Sequence, residues 1–327
     1  MYRTIIRITI ALAAFLALPL NSAFATTVSP LLFEFEIAPG KSTQETISVI
    51  NDSEQTQTYT LFVENFIASG EDGSQQYLHE EIPTGLASWV VVDEPTVTIA
   101  PGERAEFPFL VNVPNDAEPG GHYATVFFSR GGASGRSTGV GITEQVGVLL
   151  LVQVPGDIKE QANVESFRIT NGMILNRLPA EFELRIRNTG SVHISPRGTL
   201  VVRNLLGSVV ERLPANPNKS RILPNSIRRI QSGWAKTLEE KQGGFFAELT
   251  NEWNNFAIGK YTASIDVTYG SRQTALPDQR VSFWVIPWRI LIVVILIIVA
   301  IIALVKGYNA LLIRSALRSS RSGKRKS

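Results

Sequence analysis

The chain has no cysteine among its 327 residues. A disulfide-held exported protein carries an even set of cysteines, so packing alone must hold this one, and thiol nucleophiles and thiolate metal sites are excluded. Histidine is nearly as scarce, with only His79, His122 and His193. None has a second histidine at ligand spacing, and His79-Glu80-Glu81 is not the His-Glu-x-x-His of a zinc helix. Nor does any acidic residue follow Asp278, whereas Lys306, Arg314, Arg318, Arg321, Lys324, Arg325 and Lys326 all lie beyond it. The sequence calls for no metal and no cofactor, and it shows no catalytic constellation.

What is present is concentrated at the two ends. Arg3 and Arg7 precede and interrupt an apolar stretch that gives way to small residues at Ala23 and Ala25. This pattern predicts a secretory signal over residues 1–25, cleaved after Ala25, with an uncleaved anchor as the alternative. Near the other end, Ile290 to Val305 has no polar side-chain atom. Sixteen helical residues rise about 24 Å, and Trp288, Arg289, Lys306 and Tyr308 stand where interfacial aromatic and snorkelling basic residues lengthen a span. A transmembrane helix over 285–306 is expected, followed by a basic cytoplasmic tail over 307–327. The tail reads as a topological and lipid-headgroup signal rather than a nucleic-acid patch.

Ten of the 31 basic residues are Arg3, Arg7, Arg289 and the seven of the tail; the remaining 21 face all 29 acidic residues in the exterior part. That acidic excess argues against nucleic acid as a partner and permits basic or cation-bridged ones.

Between the ends, the phrase Ile-Ala-Pro-Gly occurs at Ile37 and again at Ile99, and a looser Ile-Leu-Pro-Asn begins at Ile222. Apolar residues follow at Ile47 and Val49, at Phe107, Phe109, Val111 and Val113, and at Ile227 and Ile230. Pro-Gly suits a type II turn, so the phrase is read as a turn that launches a strand rather than as a ligand loop used twice. Short strand-like segments bounded by Gly, Pro, Asn and Asp fill the rest. They predict an all-β protein: two tandem Ig-like antiparallel β-sandwich domains, 26–156 and 157–284, followed by the one C-terminal transmembrane helix. Only the stretch from Leu238 to Phe256 looks helical, and its Gly243-Gly244 pair counts against that.

Several features have two readings. Glu34 and Glu36 share one strand face, either to bind a cation or simply as the polar side of a half-buried strand. No second carboxylate pair matches them, so a glycosidase has no support. The glycine-rich stretch from Gly131 lacks the lysine of a phosphate loop and reads as a long hairpin connection. Trp89 and Trp234 are expected in the cores. Trp253, with Phe245, Phe246 and Phe256, forms the best sequence-visible surface for a partner or membrane contact.

The run from Val28 to Asp52, "VSPLLFEFEIAPGKSTQETISVIND", together with "YTLFVENF", "SWV", "VTIAPGE" and "VNVPNDAEPGGHYATVFFS", resembles the first, peptidoglycan-binding domain of the WxL-interacting protein family. The resemblance covers residues 28 to 155, and the order of signal, two domains, span and basic tail agrees with it. Strand order and Pro-Gly phrases are also similar to those of periplasmic pilus chaperones. The family resemblance implies a bacterial membrane protein with its ectodomain outside, touching peptidoglycan and other surface proteins. Two non-enzymatic functions compete: a cell-surface binding or scaffold protein, and an assembly factor that holds a partner strand at a sheet edge. Free apolar edge strands in the first domain would favour the second.

Overall fold

The structure, a computed structural model, describes residues 26–80, 82–130, 145–237 and 239–323. The expected signal over residues 1–25 and the glycine-rich stretch from Gly131 lie outside the described residues. The chain divides into two compact units, the first running to Ile67 and from Gln76 to Asp157, the second comprising Ala68–Gln75 and everything from Ile158 on.

The first unit is built from β1 (Thr26–Ser29), β2 (Leu32–Glu36), β3 (Ser42–Asn51), β4 (Gln57–Ser69), β5 (Ser74–Leu78), the one-turn helix α1 (Leu86–Trp89), β6 (Val90–Val92), β7 (Thr96–Ile99), β8 (Arg104–Asn112), β9 (Gly120–Arg130) and β10 (Gln145–Val154). One sheet has the order β1-β3-β8-β6; the other has the order β2-β10-β9-β4-β5, with β7 beside β4. Their inner faces enclose a core that includes Tyr59, Trp89, Phe107, Phe109 and Phe128. The stretch expected as one strand from Val28 is two. Proline cannot donate to a ladder, so pairing breaks around Pro30, and the chain leaves β3 to lie parallel to β10. In β2, Phe33 and Phe35 pack on the core and Glu34 and Glu36 face water. The two carboxylates mark the solvent side of a half-buried strand.

The second unit contains β11 (Ala162–Ile169), β12 (Ile174–Leu175), β13 (Ala180–Asn188), β14 (Arg197–Asn204), β15 (Val209–Pro214), β16 (Ile227–Trp234), α2 (Phe245–Asn254), β17 (Gly259–Tyr269), β18 (Thr274–Ala275), β19 (Arg280–Val285) and α3 (Trp288–Gly323). A β11-β13-β16 sheet faces one of order β12-β19-β17-β14-β15, with β18 beside β17. At the centre, Phe283 lies against Phe182, Trp234 and Tyr261 at ring separations of 5.7, 6.4 and 5.8 Å. Again the arrangement is not wholly antiparallel, because β12 runs parallel to β19. Within α3, Trp288–Ile313 is long and apolar enough to cross a membrane, and an 18-residue window of it has a mean hydropathy of 3.3. The helix begins at Trp288 because Pro287 suits a first-turn position and cannot extend β19.

The three proline phrases form the same turn. Lys41 N–H donates to Ala38 O, Glu103 to Ala100 O and Ser226 to Leu223 O, at 3.1, 3.1 and 3.3 Å. Gly40, Gly102 and Asn225 occupy the third turn position with φ of 71°, 72° and 57°. Asparagine replaces glycine in the third copy because it tolerates the left-handed region better than other residues with a β-carbon. The isoleucine of each phrase is buried. Two of those isoleucines serve the same end: the Asn51 side chain donates to Ile99 O at 2.9 Å, and the Asn188 side chain donates to Ile222 O at 2.8 Å. A fully buried asparagine closing a strand is thus tied to the turn that launches another. In β16, Ile227 and Ile230 do not share a face, since residues three apart on a strand point to opposite sides. Ile230 enters the core with Trp234, and Ile227 stays half-buried.

Candidate interaction surface

Helix α2 is shorter than the helical-looking stretch. Gly243 and Gly244 precede it instead of interrupting it, with Gly244 as N-cap and Glu248 in the first turn, where a carboxylate favours the helix dipole. Its amphipathicity is inverted. The residues turned into the protein are Asn251 and Glu252, with Asn255 just past the end, all buried. Facing water on one stripe are Phe246 and Trp253, 80% and 70% exposed and seven residues apart, with Phe245 beside them. The Phe245 and Phe246 rings meet edge-on at 5.7 Å. Phe256 is off the helix and half-buried, its ring 6.0 Å from the Lys236 ammonium. The structure therefore brings Phe245, Phe246 and Trp253 to one surface and sets Phe256 apart from it.

Every polar group on the buried face is engaged. Asn251 exchanges two hydrogen bonds with the Lys241 backbone, each 2.9 Å. Asn255 accepts from the Lys236 and Thr237 amides and donates to Thr237 O. Glu252 accepts from the backbone N–H of Arg289 and of Ile290, both at 3.1 Å, and from Arg289 Nη1 at 2.8 Å. Its carboxylate caps the first turn of α3, where unpaired N–H groups and the helix dipole both favour an anion. Glu248 extends the network to Arg177 at 3.1 Å. Helix α2 is thus held by polar contacts while its aromatic rings Phe246 and Trp253 face solvent. Since neither ring supports the fold, Trp253→Ala should change stability by no more than about 0.5 kcal/mol, which thermal unfolding of the full chain in detergent would check.

The first unit carries a second feature that the sequence reading passed over. On the outward face of the β4-β9 pair, Phe62 stacks on Phe127 at 5.1 Å and Tyr77 meets Phe127 at 4.9 Å. Phe62 lines an open cleft together with Glu64, Leu78, His79, Ile82 and Ser88. His79 Nδ1 lies 3.1 Å from Glu64 Oε1. Position parity on β4 could have separated Phe62 and Glu64 from the core-facing Leu61 and Val63, but nothing local shows that β5 and β9 bring further rings alongside. His122, by contrast, packs on Trp89 with ring centroids 4.4 Å apart, and its Nε2 lies 2.9 Å from Glu118 O. Among the described residues, no group of three or more His, Cys, Asp or Glu can hold a metal ion.

No family model matches the chain, and no curated protein matches it. Similar solved structures include the class 5 fimbriae chaperone CfaA, at 13% identity and a TM-score of 0.38, covering 80% of this chain and 100% of the other. The E. coli chaperone DraB is 14% identical with a TM-score of 0.35, over 79% and 96% of the two chains. The periplasmic chaperone SfaE is 9% identical with a TM-score of 0.32, over 78% and 98%.

Proposed function

We propose that this chain is a non-enzymatic, membrane-anchored binding or scaffold protein of the bacterial cell surface, whose first unit contacts peptidoglycan or other surface proteins. The observation that carries the reading is the attachment of α3: only Ile286 and Pro287 separate the last sandwich strand from a helix able to cross a membrane. The two sandwiches then stand outside as a single-pass ectodomain, and the basic residues after the span keep the C-terminus in the cytoplasm. The cleft beside Phe62 supports the contact, because aromatic faces stack on sugar rings and carboxylates receive their hydroxyls. The resemblance of residues 28 to 155 to the WxL-interacting family points the same way.

The test is cosedimentation of the full chain, held in mild detergent, with cell walls stripped of protein and secondary polymers. Retention is expected, and Phe62→Ala should weaken it about tenfold, while Trp253→Ala should leave it unchanged. Absence of retention on stripped walls, with retention on untreated surfaces, would transfer the role to a surface-protein partner.

One observation favours the strand-edge alternative. Strand β10 pairs with β9 along its whole length, but β2 covers only Leu149 to Gln153, leaving Gln145 to Val148 with one open side among the described residues. The opposite sheet ends at the three-residue β6, too short to hold a partner strand firmly. A peptide with alternating apolar residues should slow amide exchange in Gln145–Val148 if this reading holds, and unchanged exchange would eliminate it.

A further inference from the structure

The register of the second unit sorts its exposed apolar residues to one end. In the larger sheet, Asn204 of β14 lies opposite Tyr261 of β17, and Gly259 lies opposite Val285 of β19. The β14–β15 turn, the start of β17 and the end of β19 therefore meet at the end from which α3 departs. Exposed there are Leu205 and Leu206 in the turn, Ile258 before β17 and Ile286 after β19. Leu206 is 87% exposed, an unusual position for leucine in a turn facing water. At the opposite end, the turn from Gly270 to Gln273 carries only Ser271 and Arg272 between them, and no large apolar residue of this sheet is exposed there.

Helix α2 belongs to the same end. Glu252 caps the first turn of α3, so Trp253, the next residue along, lies within side-chain reach of the level at which the apolar helix begins. Trp288 opens that helix with the Arg289 guanidinium 4.5 Å from its ring centroid. Aromatic rings beside basic groups, at the start of an apolar helix, are the composition of the lipid headgroup layer.

We propose that the span-side end of the second unit sits in the headgroup layer of the membrane that α3 crosses, inserting the Phe246–Trp253 stripe of α2 and the Leu205–Leu206 turn. This rests on the reading of α3 as a membrane span. A lipid surface is the occupant that fits, because it is the one apolar phase that necessarily adjoins the start of α3, and it reaches both insertion points at once. A protein partner would have to cover two separate projections around a helix embedded in lipid. Interfacial insertion of this kind fixes the tilt of the unit on its span and limits how it presents the rest of the ectodomain.

The absence of cysteine allows a direct test. Single variants Leu206→Cys, Phe246→Cys, Arg272→Cys and Ile297→Cys of the full chain would carry an environment-sensitive fluorophore. They would be reconstituted at high dilution in phosphatidylcholine–phosphatidylglycerol vesicles containing lipids spin-labelled either at the headgroup or deep in the acyl chain. Expected are blue-shifted emission and headgroup-label quenching at 206 and 246, no quenching at 272, and deep-label quenching at 297. A probe at 206 or 246 that behaves like the one at 272, with 297 still quenched by the deep label, overturns the proposal and leaves the span intact. Blue-shifted emission at 246 without lipid quenching overturns it too, since a protein surface would then cover the stripe. Loss of deep quenching at 297 would bring down the span reading itself.

Discussion

Replacing Glu252 by alanine should release α2 from the start of α3 and weaken that part of the second unit by about 3 kcal/mol, the low end for breaking a buried ion pair from one side. The side chain of Glu252 is fully buried and that of Arg289 is 18% exposed, so deletion strips a nearly dry guanidinium of its closest anion. Two backbone N–H groups at 3.1 Å lose their acceptor at the same time. The low end is chosen because Glu248 lies 3.8 Å from Arg289 and keeps part of the charge balanced. Amide hydrogen exchange in α2 and at Arg289 and Ile290 should accelerate by about a hundredfold, since each tenfold corresponds to about 1.4 kcal/mol. Glu252→Gln retains an oxygen for the helix N–H groups and should recover about half of the loss. Exchange within about threefold of the parent chain in the alanine variant would mean that the aromatic helix is held by something other than this cap.

The second large effect belongs to Asn188. Its side chain donates to Val192 O and Ile222 O, both at 2.8 Å, and accepts from Gly190 N–H at 2.9 Å, all without access to water. Alanine leaves the Val192 carbonyl and the Gly190 amide unpaired in the interior, at about 1–3 kcal/mol each before relaxation, while Ile222 O keeps the Ile194 N–H at 3.0 Å, and a loss of about 3 kcal/mol is expected. Asn188→Asp should be no better, because a carboxylate oxygen would then face two carbonyl oxygens with no proton between them. Denaturant unfolding followed through the buried Trp234 would measure both. A loss under about 1 kcal/mol would show that the loop re-pairs its backbone and that the asparagine is not what ties turn to strand.

The two sandwiches differ in sequence yet share this device, which explains how much of the repeat could be read directly. A turn is local: Pro39-Gly40, Pro101-Gly102 and Pro224-Asn225 set their own backbone angles within four residues, and period-two runs such as Phe107 to Val113 follow at once. The asparagine partner is not local. Asn51 reaches 48 residues along the chain and Asn188 reaches 34, and no pattern at either end announces the other. The same limit hid which sheet each side of Pro30 joins, since its partners β3 and β10 are far apart in the chain, and the Phe62 cleft, lined by β4, the end of β5, the loop after it and α1. For α2 the sequence groups four rings, of which the structure brings Phe245, Phe246 and Trp253 to one surface. Phe256 falls beyond the last turn, where the chain bends away toward β17, so it leaves the stripe.

By itself, then, the sequence determined the β character of the two sandwiches, the turns that start their strands and the apolar helix after them, because each depends on periodicity, run length or dihedral preference within a few residues. Tertiary structure alone decided that α2 is worn inside out. A helix carrying Glu, Asn and Trp in alternation has no intrinsic reason to bury its carboxylate and show its tryptophan. It does so here because the N–H groups of a helix that begins 34 residues after α2 ends need an anion, and Glu252 is the one positioned to supply it.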